Sequence, residues 1–227
     1  MILLVIKKYT KGAQVSENRP ARPWDLFNKN IGRVELVTHR ISFLSNFIDE
    51  EDCSLAISII KEYEEKGILE KFKDNPDVLV TPLTGSVVRL IKKYSDKVLE
   101  YHKELNGFKS DLYTTEGFLS LWNPGAYAGL HIDSHYGYDF LQFASVFYFN
   151  EDYSGGEIYF PNQDVSYKPK KADAVIFPCG GSEYVHGVNK VISGQRYTIA
   201  MWHSSRIDKA SSLFHPDLIE NINKEYY

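Results

Sequence analysis

Apolar and polar positions divide the chain into two textures. Phe47 and Ile48 lead into Asp49-Glu50-Glu51-Asp52, acids that suit the positive end of a helix dipole, and Leu55, Ile57, Ile59 and Ile60 follow among charged residues. This predicts a helix over roughly residues 50–65. Asn75-Pro76-Asp77 and Pro82 mark a loop, after which Thr84 or Ser86 can cap a second helix carrying Val87, Leu90, Ile91, Tyr94 and Val98 at helical spacing. Beyond residue 107 the texture changes to short aromatic and β-branched runs separated by Gly, Pro and Asn. The runs are Gly117–Trp122, Phe143–Phe149, Glu157–Phe160, Ala174–Phe177 and Arg196–Trp202. An α+β, mainly β fold follows: a β-sandwich or barrel with helices packed on its outside. Two terminal pieces flank it. Met1–Ile6 reads as a buried first strand followed by a polar, packed-down loop, and His215-Pro216-Asp217-Leu218-Ile219 as a short helix with Pro in its first turn.

Composition narrows the class. With 227 residues, 43% hydrophobic and 14% aromatic, the chain can bury one sizeable core, which excludes a linker, a disordered tail or a low-complexity protein. We divide this single domain, 1–227, into an N-terminal strand and loop (1–45), supporting helices (46–106), a catalytic core (107–204) and a C-terminal extension (205–227). A net charge of −4 disfavours a general binder of nucleic acid or anionic membrane. Cys53 and Cys179 are too few for a disulfide framework or a Cys-based metal site. Met1–Ile6 is too short for a membrane helix and lacks the features of a signal peptide, so the expectation is a cytoplasmic protein with no membrane partner.

The candidate chemistry lies in the histidines. Chance supplies about one His-x-acid triplet in a chain of this composition, and the sequence has three. His102-Lys103-Glu104 falls in the second helical pattern, where residues two apart point about 200° apart around the axis, so it reads as helix surface. His215-Pro216-Asp217 reads as structural, with Asp217 answering a helix dipole. His131-Ile132-Asp133 instead stands between β-rich segments, where a spacing of two sends both side chains to one face and lets them share a metal. His186, beyond the break at Pro178-Cys179-Gly180-Gly181, is the best third ligand. Two His and one carboxylate form the facial set typical of non-haem Fe(II) oxygenases.

A second demand comes from the last strand. Alternation puts Arg196, Thr198, Ala200 and Trp202 on one face and Tyr197, Ile199 and Met201 on the other. An inward guanidinium beside a hydroxyl is costly unless an anion satisfies it, and Arg pairs bidentately with carboxylates. Ala144, Val146 and Tyr148 share one face of the strand Phe143–Phe149, leaving room for a ligand to which Tyr148 can donate.

These residues form an ordered set: Gly125-Ala126-Tyr127-Ala128-Gly129-Leu130-His131-Ile132-Asp133, Phe147-Tyr148-Phe149-Asn150, Ser154-Gly155-Gly156-Glu157, Phe160-Pro161, Lys168-Pro169, Asp173–Phe177, His186-Gly187-Val188 and Gly194-Gln195-Arg196 through Trp202. Over residues 46–204 the chain resembles the prolyl 4-hydroxylase-like Fe(II)/2-oxoglutarate dioxygenases. The resemblance implies a double-stranded β-helix, a distorted jelly roll backed by N-terminal helices. It implies Fe(2+) held by His131, Asp133 and His186, and 2-oxoglutarate chelating the metal with its distal carboxylate on Arg196, Tyr148 and Thr198. It further implies O2 as oxidant, succinate and CO2 as products, ascorbate as a candidate stimulant, and hydroxylation of a prolyl residue in a peptide or protein substrate. Tyr127, Trp202, Val188 and Trp122 are the expected pocket lining.

Three departures bear on the substrate: Trp122 where many members carry Tyr, Ala172 where Gly is usual, and Arg196 where collagen-type members have Lys. The alternatives are an oxygenase of a free amino acid or other small molecule, and a non-catalytic β-barrel binding module. A nucleobase substrate is least favoured, because no Arg-x-Asn-x5-Arg ending is present. Substrate choice is expected in residues 9–31, 74–86 and 134–138, with His135 a substrate contact or an exposed loop residue, and Trp24 a core residue.

Overall fold

A computed structural model describes residues 33–38, 40–72, 75–105, 110–135 and 137–216. The expectations for Met1–Ile6, for residues 9–31 with Trp24, and for the tail beyond Pro216 lie outside these residues.

The chain folds as two antiparallel sheets facing each other, with two helices behind the larger one. Strands β1 (Arg33–Thr38) and β2 (Ile41–Ser45) form a hairpin and are followed by α1 (Glu50–Glu65), β3 (Glu70–Phe72), β4 (Asn75–Val80) and α2 (Gly85–Leu105). Next come β5 (Tyr113–Trp122), β6 (Ala128–His131), β7 (Phe143–Tyr148), β8 (Ser154–Gly155), β9 (Ile158–Phe160) and β10 (Val165–Tyr167). The last elements are β11 (Ala174–Pro178), β12 (His186–Val188), β13 (Val191–Ser193) and β14 (Arg196–Ser204). The major sheet runs β1-β2-β11-β7-β14-β5-β4-β3 and the minor sheet β10-β9-β12-β6, while β8 and β13 pair separately. This is the expected mainly β jelly-roll architecture with supporting helices. No described helix is long and apolar enough to cross a membrane.

Alternation along β14 builds two cores. Tyr197, Ile199 and Met201 join Leu119, Leu121 and Phe147 against Ile59, Ile60 and Tyr63 of α1 and Val87, Ile91, Tyr94 and Val98 of α2. Ala144 and Tyr148 instead pack between the sheets with Ile158, Phe160, Val175 and Phe177. Helix α1 begins on Glu50, Glu51 and Asp52 as predicted. Its entry is pinned to α2: the Asp49 N–H donates to the Tyr94 hydroxyl (3.0 Å), which donates to Asp52 (2.7 Å). Its end is a left-handed Gly67 (φ 65°), and the Ile68 N–H reaches back to Tyr63 O at 3.1 Å.

The structure corrects three expectations. His102 is not helix surface: it is fully buried, 4.3 Å from the Phe143 ring, because it continues the stripe Val87, Ile91, Tyr94, Val98 that faces the sheet. Residues 74–86 are not all loop, since Asn75–Val80 is a strand of the major sheet. Pro76 is tolerated there because pairing with β5 begins only at Val78. Segment 46–106 therefore contributes the β3–β4 hairpin to the sheet as well as two helices.

Candidate active site

The minor sheet brings the three metal-ligand candidates together. His131 ends β6 and His186 begins β12, and the two are paired directly across the ladder with ring centroids 4.3 Å apart. Asp133 follows β6 by two residues and turns back, placing its Oδ1 3.5 Å from His131 Nε2 and 3.9 Å from His186 Nε2. Ligand atoms of all three residues lie within 4.8 Å of one another, the one such His/Cys/Asp/Glu group among the described residues. Both rings are fixed from behind: the Nδ1 atoms of His131 and His186 face Gly129 O (2.7 Å) and Tyr184 O (3.1 Å). With Nδ1–H donating to a carbonyl, each Nε2 keeps its lone pair for a metal. Phe177 packs edge-on against His186 at 4.5 Å and Phe160 lies 5.6 Å away, an apolar wall that limits water.

Charge in the triad suits a cation. Burial pushes the Asp133 carboxyl up, but the two imidazoles and the Trp202 indole outweigh it and hold the carboxyl below its ordinary value. Hydrogen bonding to Asp133 raises His131, whereas burial lowers His186. Cys179 is not a competing ligand: burial, then Asp133, pushes its thiol far up, and its S–H faces Asp133 Oδ2 at 3.9 Å.

The major sheet supplies the second half of the site. Arg196 is 1% exposed, its guanidinium carbon 4.6 Å from the Trp122 ring and 5.0 Å from the Tyr148 ring. Its Nε and Nη1 have no hydrogen-bond partner, nor has the fully buried Tyr148 hydroxyl. Orphaned donors of this kind, one set of them cationic, are costly in a folded interior and mark a missing anion. Thr198 is placed beside them, but its hydroxyl has a neighbour, Ser120 Oγ at 2.9 Å, which also accepts the Trp122 indole N–H at 3.2 Å.

One cavity of about 700 Å³ joins the two halves. Arg196, Tyr148 and Thr198 line it, as do His131, Asp133 and His186 and the expected wall residues Tyr127, Trp202, Val188 and Trp122. Asn75–Val78 of the β3–β4 hairpin, within the 74–86 segment expected to govern substrate choice, also line it, as does Phe118, which the sequence did not single out. Three apolar side chains there are largely exposed: Phe72 (38%), Tyr127 (55%) and Leu130 (58%). His135 does not line the cavity; it is exposed and stacks on Tyr138 at 5.1 Å. Tyr153, another unforeseen residue, is buried near Arg196 with its hydroxyl unpartnered.

Known proteins resemble this chain in part of its sequence and in its fold. Residues 117–204 match the family model of the 2OG-Fe(II) oxygenase superfamily. Rat prolyl 3-hydroxylase 2 is 39% identical over 70 residues, which are 29% of this chain and 10% of that protein, so the likeness spans a small part of the relative. A Pseudomonas putida prolyl-4-hydroxylase structure superposes with TM-score 0.60 at 20% identity, covering 74% of this chain and 94% of that one. A Trichoplax adhaerens prolyl hydroxylase in complex with a hypoxia inducible factor peptide fragment superposes with TM-score 0.59 at 14% identity, covering 80% and 87%. At such identities the structures establish the shared fold, while the family match falls on the segment that carries His131, Asp133, His186 and Arg196. Residues 117–204 are thus similar to the 2OG-Fe(II) oxygenase superfamily, and the chain shares its fold with prolyl hydroxylase structures.

Proposed function

We propose that the protein hydroxylates a prolyl residue in a peptide or protein, using Fe(II), 2-oxoglutarate and O2 and releasing succinate and CO2. The observation that carries this reading is the unsatisfied Arg196–Tyr148 donor set in the same cavity as the His131–Asp133–His186 triad. The triad would hold the metal, and Arg196 and Tyr148, with Thr198 beside them, would hold the distal carboxylate of 2-oxoglutarate. Metal and cosubstrate together supply the oxidation of an unactivated C–H bond.

The chain's own residues bind, orient and exclude water. Gly129 O and Tyr184 O keep both imidazoles in the tautomer that presents Nε2. Trp122 and Tyr148 flank the guanidinium, so an incoming carboxylate meets a donor set that needs no rearrangement. Phe160 and Phe177 keep the His186 side dry. The open rim of Phe72, Tyr127 and Leu130 favours an extended peptide over a small polar amino acid, since exposed apolar side chains around a cleft mark a surface that a partner covers. The peptide bound to the Trichoplax adhaerens neighbour supports the same substrate class.

A library of proline-containing peptides, incubated with Fe(II), 2-oxoglutarate, O2 and ascorbate, tests the reading. Succinate release coupled to a gain of one oxygen atom on proline, lost in Asp133→Ala and in peptides with Ala for Pro, is the expected outcome. Turnover confined to free amino acids would overturn the peptide assignment, and metal binding without 2-oxoglutarate binding would overturn the cosubstrate assignment.

A further inference from the structure

Four buried polar atoms without a hydrogen-bond partner belong to one small region: Arg196 Nε and Nη1 and the hydroxyls of Tyr148 and Tyr153. Tyr148 comes from strand β7, whereas Tyr153 comes from the turn between β7 and β8. The backbone shows how closely they approach. A Cβ built on Gly156 would lie 3.0 Å from Tyr153 Cε2 and 3.1 Å from Arg196 Cδ, so the phenol edge and the arginine stem crowd one point that only glycine leaves free. Burial raises both phenols, and both the Arg196 charge and the nearness of its N–H groups oppose the rise in each, so the two hydroxyl oxygens sit beside the guanidinium although neither meets strict hydrogen-bond geometry with it.

Tyr153 is also held firmly. The Lys168 ammonium lies 3.5 Å from the Tyr153 ring centroid and donates to Tyr153 O (3.1 Å) and Gly155 O (2.5 Å). On the other side Gly194 adopts φ 75°, and a Cβ there would come within 2.8 Å of Tyr153 Cα. A cation thus covers the ring and Gly194 packs against the Tyr153 backbone, while its hydroxyl, in a residue 7% exposed, is left without a partner.

We infer that Tyr153 is a specificity-determining residue of the cosubstrate site, donating its hydroxyl to the distal carboxylate beside Tyr148 and Arg196. An ionised carboxylate offers roughly four lone-pair positions, which two guanidinium N–H groups and two phenols fill. Thr198, the donor implied by the family resemblance, already faces Ser120. The inference rests on the 2-oxoglutarate reading above and adds to it: the site discriminates against 2-oxo acids that lack the second carboxylate, because four buried donors then stay unsatisfied.

The test is an anaerobic titration of Fe(II)-loaded protein with 2-oxoglutarate and with 2-oxopentanoate, which has the same carbon chain without the distal carboxylate. Wild type, Tyr153→Phe and Arg196→Met are compared, and the thermal midpoint of each ligand-free protein is recorded. Tyr153→Phe keeps the ring and its packing. It is expected to weaken 2-oxoglutarate about tenfold, as for a lost hydrogen bond to a charged group, to leave 2-oxopentanoate unchanged, and to raise the thermal midpoint by removing an orphaned hydroxyl. Equal weakening of both acids would reduce Tyr153 to a packing role and overturn the inference. Unchanged 2-oxoglutarate affinity in Tyr153→Phe, with a loss in Arg196→Met, would overturn it while the cosubstrate reading stands. No loss in either variant would overturn both.

Discussion

Strand β14 carries buried polar residues toward both sides of the major sheet, and the two groups differ in how their polar atoms are met. On the helix side His203 is fully buried with Nδ1 3.0 Å from Thr114 Oγ1 and Nε2 2.9 Å from Ser145 Oγ. Thr114 in turn meets Ser95 Oγ at 2.5 Å, and its backbone N–H donates to His215 Nε2 at 2.8 Å. Seven residues away on the same strand, Arg196 is as buried, yet two of its nitrogens and the nearby Tyr148 and Tyr153 hydroxyls have no partner. Interior polar groups are normally paired. The satisfied cluster belongs to the fold, and the unsatisfied one is the group we propose as a ligand site.

The contrast is open to direct attack. Replacing Arg196 by Met should lower 2-oxoglutarate affinity about 100-fold, the loss of a buried charged partner, while the ligand-free protein keeps or gains stability because an unpaired charge leaves the interior. Calorimetric titration and thermal melting read the two effects. His203→Ala should do the reverse: about 3 kcal/mol of destabilisation, from a cavity, the stranded Ser145 hydroxyl and a lost bond to Thr114, with 2-oxoglutarate affinity unchanged. Urea unfolding measures the first and the same titration the second. If either variant lowered both stability and affinity, the two sides of the sheet would not be functionally distinct.

A smaller, pH-dependent effect sharpens the comparison. Burial lowers His102 from 6.5 to about 4, and burial, then the neighbouring histidines, hold His203 well below its ordinary value. Below pH 6.5 the unfolded chain takes up protons that the folded chain refuses, so stability is full above that value and falls as the pH drops toward 4. Each such histidine contributes a slope of at most about 1.4 kcal/mol per pH unit. Urea unfolding at stepped pH should show this slope, reduced in His203→Gln. The phenols of the opposite face, both raised by burial, stay protonated throughout this window.

Much of this was legible in the chain because it was periodic. The alternation Arg196, Thr198, Ala200, Trp202 predicted the site-facing side of β14, and the two-residue spacing of His131 and Asp133 predicted a shared target beside His186. Tyr153 escaped because it follows the end of β7 in a turn, where no period tells which way a side chain points. His102 was misjudged by asking whether it and Glu104 converge, when the useful question was which helical stripe it extends. The β3–β4 hairpin was hidden by Pro76 and Pro82, which punctuate its sequence without breaking its ladder. Strands β1 and β2 do carry an apolar alternation, in Val34 and Leu36 and in Ile41 and Phe43, too short to stand out before their place at the sheet edge is seen.

The most direct test of the claim that the unsatisfied side of β14 is a ligand site is anaerobic spectroscopy of the intact protein. Fe(II) and then 2-oxoglutarate are added to metal-free protein while the visible charge-transfer absorption of the chelate is followed. The expected result is a band that saturates with 2-oxoglutarate in wild type and in His203→Ala, but requires far more 2-oxoglutarate in Arg196→Met. Iron binding without the band, or a band indifferent to Arg196, would contradict it.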